Sequence, residues 1–252
     1  MQLDLQPIWA VITVGLIFIP LEFLRPALPR PEFSWRRHLT DILHVAIGGQ
    51  LVRAGTAAVI GVVLLRTGSD GRLSNLPLWH QVILVLVISD FMFWIAHRMF
   101  HAVPWLWEFH KVHHSSTHLD WLATYRVHPL DQIVNASIIA LPALILGFSP
   151  LALLIYAIVY RWHAVLLHSN IDVSLGPLDR IFAMPKFHHW HHAGHSEAFD
   201  RNFGGQLAIW DRLFKTAYDA NEIRPAVYGV EHAPRENYLA HIFAPILRGP
   251  SR

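Results

Sequence analysis

The sequence predicts an all-α integral membrane helical bundle, with about four membrane spans or hairpin legs and a cytoplasmic helical cap. Three observations lead there. Hydrophobic residues make up 53% of the 252-residue chain and charged residues 15%, with a mean hydropathy of +0.33, an unusual balance for a soluble protein of this size. The apolar residues fall in blocks close to the ~20 residues that cross a hydrocarbon core. The histidine-rich segments, 97–128 and 186–195, lie outside those blocks.

The first block, 7–24, has no basic n-region and no small-residue cleavage site, and its run is longer than a signal-peptide core, so it is expected to remain as an anchor. The second and third blocks are 42–65 and 76–96. The fourth, 133–167, is broken at "GFSP" (147–150), where Gly and Pro predict the turn of a helical hairpin. From about 177 the chain is more polar, a folded cap ending in a loose tail, "APILRGPSR". One domain, 1–252, accounts for the length. Arg25, Arg30, Arg36 and Arg37 form the densest basic cluster and place the loop after the first span in the cytoplasm. The later spans then return His97, His168 and 177–252 to that same side.

Composition also excludes function classes. A net charge of +2 and a pI near 9.1 come from scattered basic residues, not a basic stripe, so no nucleic-acid partner is expected. Zero cysteines remove disulfides, thiolate zinc sites and thiol catalysis. Histidine is left as the strong nitrogen ligand.

Its spacing is specific. His97 and His101 in "HRMFH" stand at i, i+4. His110, His113 and His114 in "HKVHH" stand at i, i+3, i+4, and His188, His191 and His192 in "HHWHH" repeat that spacing. On a helix each set faces one way, so imidazoles from adjacent turns converge as metal ligands. Eight ligands exceed one tetrahedral ion and imply two metals in an open, catalytic centre. His128 and His168, at the two ends of the fourth apolar block, lie at the same membrane depth and are further candidate ligands. His189 and His195 fall off the shared face. His38, His44, His80, His118, His163, His232 and His241 are expected to be interfacial or hydrogen-bonded side chains. No HExxH occurs, and imidazole suits Zn, Cu, Fe and Ni alike.

"HRMFH", "LWEFHKVHHSS", "YRVHPLD", "LLHSNIDVSLGPLDRIF", "MPKFHHWHHA" and "DRNFGGQLAIWDRLF", with the preceding Asp90, resemble in order the blocks of the fatty acid hydroxylase/sterol desaturase superfamily over about 85–218. The resemblance implies an integral membrane enzyme that uses O2 and two electrons to hydroxylate or desaturate a lipid C–H bond at two histidine-held iron ions. It implies that His97, His101, His110, His113, His114, His188, His191 and His192 are iron ligands, with His168 a further one. A histidine-rich site also binds zinc readily, so zinc is expected to be able to take it in purified protein. Asp90, Asn170, Asp200, Asn202 and Asp211 match recurrent family positions and are expected to hydrogen-bond around the ligands or shape turns.

No cytochrome b5-like segment or GxGxxG stands in the sequence. Electrons are therefore expected from a separate ferredoxin or cytochrome b5 type of donor with its reductase. The expected setting is a bacterial inner membrane, or the endoplasmic reticulum in a eukaryote, with the lipid entering laterally. "FMFW" (91–94), Trp105, Trp107 and Trp121 either line that path or form an interfacial aromatic belt. The rival readings are a zinc-dependent membrane hydrolase, which would work without O2, and a non-catalytic metal-binding membrane protein.

Overall fold

The computed structural model describes residues 6–29, 32–67, 71–221 and 224–249. Arg30 of the basic cluster and the last residues of the expected tail lie outside them. Helix α1 (Gln6–Leu24) is followed by α2 (Trp35–Leu43), whose first turn is capped by Ser34 accepting from the Arg37 amide. A π-helical turn, His44–Gly48, joins α2 to α3 (Gly49–Thr67). The resulting helix, Trp35–Thr67, starts before the expected 42 because its first turns carry Arg36, Arg37, His38 and Asp41, which hide the helix from an apolar count.

Helix α4 (Leu78–Ala102) is 25 residues long, roughly 37 Å at 1.5 Å per residue. That exceeds a ~30 Å hydrocarbon core, so its last turns carry His97 and His101 out to the membrane edge. Helix α5 (Pro104–His114) follows at once, with proline in its first turn. A 3-10 turn, Trp121–Tyr125, is capped by Asp120 accepting from the Leu122 and Ala123 amides. The predicted hairpin is α6 (Pro129–Ile145) and α7 (Pro150–His168). Its turn needs Gly147, which has φ +73°; a Cβ there would lie 2.3 Å from the Gly71 backbone.

α6 packs between α3 and α4, and α4 also packs against α5 and α7. Val85, Ile139, Ala143, Phe148 and Tyr156 form one apolar core, and Val14, Phe18, Val165 and Ile171 join α1 to α7. Trp35–Thr67, Leu78–Ala102 and Pro150–His168 are long and apolar enough to cross a membrane. They keep large apolar side chains such as Leu65, Ile83, Leu151 and Ile158 exposed, as lipid-facing surfaces do. The basic loop lies at the histidine end of the bundle: Arg37 pairs with Asp120 at 3.7 Å, and the Ala27 amide donates to the Asn170 carbonyl.

The cap is less regular than expected. It holds the short helices α8 (Pro185–His191) and α9 (Ile209–Leu213), 3-10 turns and isolated bridges, with no β-strand among the described residues. The expected loose tail is corrected: "APILR" completes α10 (Tyr238–Arg248), capped by Asn237 accepting from the Ala240 amide. This helix is amphipathic, with His241 buried and Leu239, Phe243 and Ile246 exposed. It is tied down by Arg126, which is wholly buried and donates to Asp41 on α2 and to Glu236 just before α10.

Candidate metal centre

Nine histidines converge at the C-terminal ends of α4, α5 and α7 and along α8 in two groups. One contains His97, His101, His110, His114 and His191; the other contains His113, His168, His188 and His192. Within each group the ligand nitrogens lie within 4.8 Å of one another. His168, the last residue of α7, joins the second group.

The motifs do not each serve one point, as their spacing had suggested. His110 and His114 go to the five-histidine group and His113 to the other; His188 and His192 go to the four-histidine group and His191 to the first. The reason is helical geometry. At about 100° per residue, i and i+4 nearly eclipse, whereas i+3 and i+4 point some 100° apart. Each HxxHH therefore straddles two positions and fastens the groups together.

His128 stands in neither group, which corrects its candidacy as a ligand. Its Nδ1 accepts from the Leu130 amide at the start of α6, and its Nε2 donates to the Ile242 carbonyl. Both ring nitrogens are thus used, one to cap a helix. His189 bonds the Tyr228 hydroxyl and the Ser169 carbonyl, and the His195 ring packs near Trp190. His44 and His241 bond each other at 3.1 Å, and His163 donates to the Ala183 carbonyl.

The outer ring nitrogens decide what the inner ones can do. Nδ1 of His97, His113, His168 and His191 donates to the carbonyls of Phe203, Arg126, Ala164 and Arg201, and Nδ1 of His110 and His101 faces the carboxylates of Asp131 and Asp200. Each of these neutral rings therefore turns an unprotonated Nε2 lone pair inward. Nε2 of His97 and His110 then oppose at 3.0 Å, and those of His113 and His168 at 3.1 Å. Nε2 of His101 and His191 has no hydrogen-bond partner among the described residues. Opposed buried lone pairs repel unless a cation lies between them. Two bonds of about 2.0–2.1 Å at right angles put neighbouring imidazole nitrogens about 3 Å apart, so the donor set fits a metal at each group.

Burial reinforces this. It pushes His110 down to about 3 and holds His113, His114, His188, His191 and His192 well below the usual histidine value, with the neighbouring imidazoles adding to the effect for these five. The rings are neutral at neutral pH, the form in which imidazole binds a metal.

The two groups are supported unequally. In the five-histidine group, His110 is backed by Asp131 at 2.7 Å, fully buried and itself held by Asn135, and His101 by the largely exposed Asp200 at 3.2 Å. In the other group, the outer contacts of His113 and His168 are backbone carbonyls. Sequence reasoning missed Asp131; its signal was an acid in the first turn of an otherwise apolar helix.

One strap, 200–203, reaches three of the grouped histidines: Asp200 contacts His101, the Arg201 carbonyl His191, and the Phe203 carbonyl His97. Asp200 and Asn202 take left-handed backbone angles, φ +54° and +58°, which these residue types tolerate best after glycine. Asn202 holds the strap by donating to the Phe187 and Tyr218 carbonyls, and Asp211 accepts from the Phe203 and Gly204 amides. Asp90 on α4 receives the Gln206 and Leu207 amides and the Trp210 indole. Gly205 permits this approach, since a Cβ would lie 2.7 Å from Phe93 and 3.0 Å from Asp90 Oδ1. Asn170 works further out, exchanging hydrogen bonds with the Leu28 backbone.

The aromatic residues divide too. Trp107 lies beside His101 and His114, Trp94 is buried against Phe214, Trp105 is exposed, and Trp121 packs near the Gly15 backbone.

A family profile described as fatty acid hydroxylase matches residues 82–216. An ornithine lipid hydroxylase of Rhizobium tropici is 34% identical over 231 residues, covering 86% of this chain and 70% of that protein. Alkylglycerol monooxygenases of Caenorhabditis elegans and Homo sapiens are 26% and 32% identical over 233 and 173 residues. Those matches cover 90% and 64% of this chain but 45% and 36% of the relatives. No solved structure matches.

Proposed function

The chain belongs to the fatty acid hydroxylase family, and from that premise we propose that it is a multi-pass membrane lipid hydroxylase, O2-dependent, with two iron ions held by the nine grouped histidines. The single observation that carries the reading is the set of opposed Nε2 lone pairs, fixed by outer hydrogen bonds, where the C-terminal ends of the membrane-long helices α4 and α7 meet α5. When bound, the iron pair supplies reduction of O2 and cleavage of an unactivated C–H bond, with two electrons and two protons drawn from outside and water as the second product.

The chain's own residues do the positioning. Carbonyls of Ala164, Arg126, Phe203 and Arg201 hold the imidazoles in the ligating tautomer, and the carboxyl groups of Asp131 and Asp200 orient His110 and His101. Phe100 and Phe203, both buried and ring-packed on the ligand histidines, exclude water from them. The exposed apolar surfaces of the long helices let an apolar substrate arrive from the bilayer.

The named relatives act on an ornithine lipid and on alkylglycerols. We take the substrate class here to be an amphipathic membrane lipid, and the reaction to be hydroxylation. Residues 85–218 form the catalytic region of a single membrane domain. The donor is a separate ferredoxin or cytochrome b5 type of protein with its reductase, and the centre faces the cytoplasm of a bacterial inner membrane. The test is expression with a working donor under 18O2, comparing lipids with those of a His113→Ala strain. A lipid gaining one 18O atom only with the wild-type protein is expected. Identical lipid profiles would overturn the reading.

A further inference from the structure

Helix α7 carries a single Asp, Glu, Lys or Arg in its 19 residues, Arg161. Its side chain is exposed, seven residues before His168. That separation is about two turns, roughly 10 Å along the helix, and puts both residues on similar faces. Arg161 lines a groove of about 360 Å³ between α1 and α7, whose other walls are Thr13, Val14, Ala157, Ile158 and Trp162.

An exposed guanidinium on a membrane-crossing helix is costly unless an anion or water meets it. No carboxylate pairs with Arg161 among the described residues; its neighbour is the Tyr125 hydroxyl. The groove therefore presents a fixed positive charge, with the Thr13 side chain as its other polar group, on an otherwise apolar wall. That combination matches an anionic phospholipid. Its phosphate can take the planar fork of an arginine in paired hydrogen bonds, and its acyl chains can lie along Val14, Ile158 and Trp162.

We propose that the α1–α7 groove is a binding site for an anionic phospholipid, with Arg161 as its phosphate anchor. The site borders the metal centre through one short stretch of chain. Tyr125 precedes Arg126, whose carbonyl accepts from His113 Nδ1 at 3.1 Å. A lipid seated here stands next to the segment that orients a grouped histidine. The proposal rests on membrane embedding, not on the chemistry of the centre, so the two can fail separately.

Trp162 gives a local readout. The full chain is placed in phosphatidylcholine vesicles containing a minor fraction of either dibrominated phosphatidylglycerol or dibrominated phosphatidylcholine, and tryptophan quenching is measured. The chain has ten tryptophans, so the Trp162 contribution is taken as the difference from Trp162→Phe. Trp162 is expected to show about a fivefold preference for the anionic quencher, the effect of one basic residue near an anionic surface. Arg161→Lys should keep most of that preference and Arg161→Gln should lose it. Equal quenching of wild-type Trp162 by the two lipids would overturn the proposal, as would an undiminished preference in Arg161→Gln. Excess inorganic phosphate should leave the preference intact; its abolition would make the occupant a free anion and also sink the lipid assignment. The wild-type comparison decides the matter even if Arg161→Gln fails to fold.

Discussion

At the scale of the residue, the nine grouped histidines are distinguished by what stands behind them. Asp131 is buried and its carboxyl stands 2.7 Å from His110 Nδ1, so it fixes the orientation of that ring. Asp131→Asn replaces that acceptor by an amide and should weaken metal retention by roughly 10–100-fold, read as iron remaining under a chelator series. Asp200→Asn should lose less, because Asp200 is largely exposed and solvent screens its charge. The same burial gives the metal-free protein a pH dependence. His110, His113, His114, His188, His191 and His192 have folded-state values below the unfolded 6.5, so the unfolded chain binds more protons as the pH falls. Stability is unaffected by these groups above about 6.5 and drops progressively below it, toward about 3 for His110. Chemical unfolding of the metal-free protein in micelles should therefore show a falling midpoint from pH 7 to pH 5; a flat profile would contradict the buried neutral state.

At the scale of the element, the strap 200–203 is held from α4 and from within the cap. Asp90 is wholly buried and accepts from three donors on the following segment. Asp90→Ala leaves buried N–H groups without partners, at about 1–3 kcal/mol for each. Gly205→Ala forces Phe93 aside, an overpacking cost of about 1–3 kcal/mol. Both variants should lower the thermal midpoint, and both should release metal from the five-histidine group before the other, because the strap contacts His97, His101 and His191. Metal content during a chelator titration, two steps rather than one, checks the order. Pro at the first turn of α5, α6, α7 and α8 serves the same end at the helix starts, fixing where each helix begins and hence which way its histidines or capping residues point.

At the scale of the whole molecule, the apolar blocks and the two HxxHH motifs were legible in the sequence because both depend on local periodicity. The hairpin at "GFSP" appears where turn chemistry puts it. Local spacing could not say which histidine joins which group, since that depends on where four helix ends meet; nor could it exclude His128, whose partner Ile242 is 114 residues away. Asp131, Arg126 and Glu22 were equally silent. Glu22 accepts from the Trp121 and Asn170 amides and Arg126 joins Asp41 to Glu236, contacts that span 85–148 residues. By itself the sequence determined the membrane class, the helical segments and the histidine clustering, because hydropathy, turn chemistry and helical spacing are properties of neighbouring residues. Tertiary structure alone decided the division into five and four, the tautomers and the unequal carboxylate support, because a metal position exists only where side chains from distant helices are brought within bonding distance.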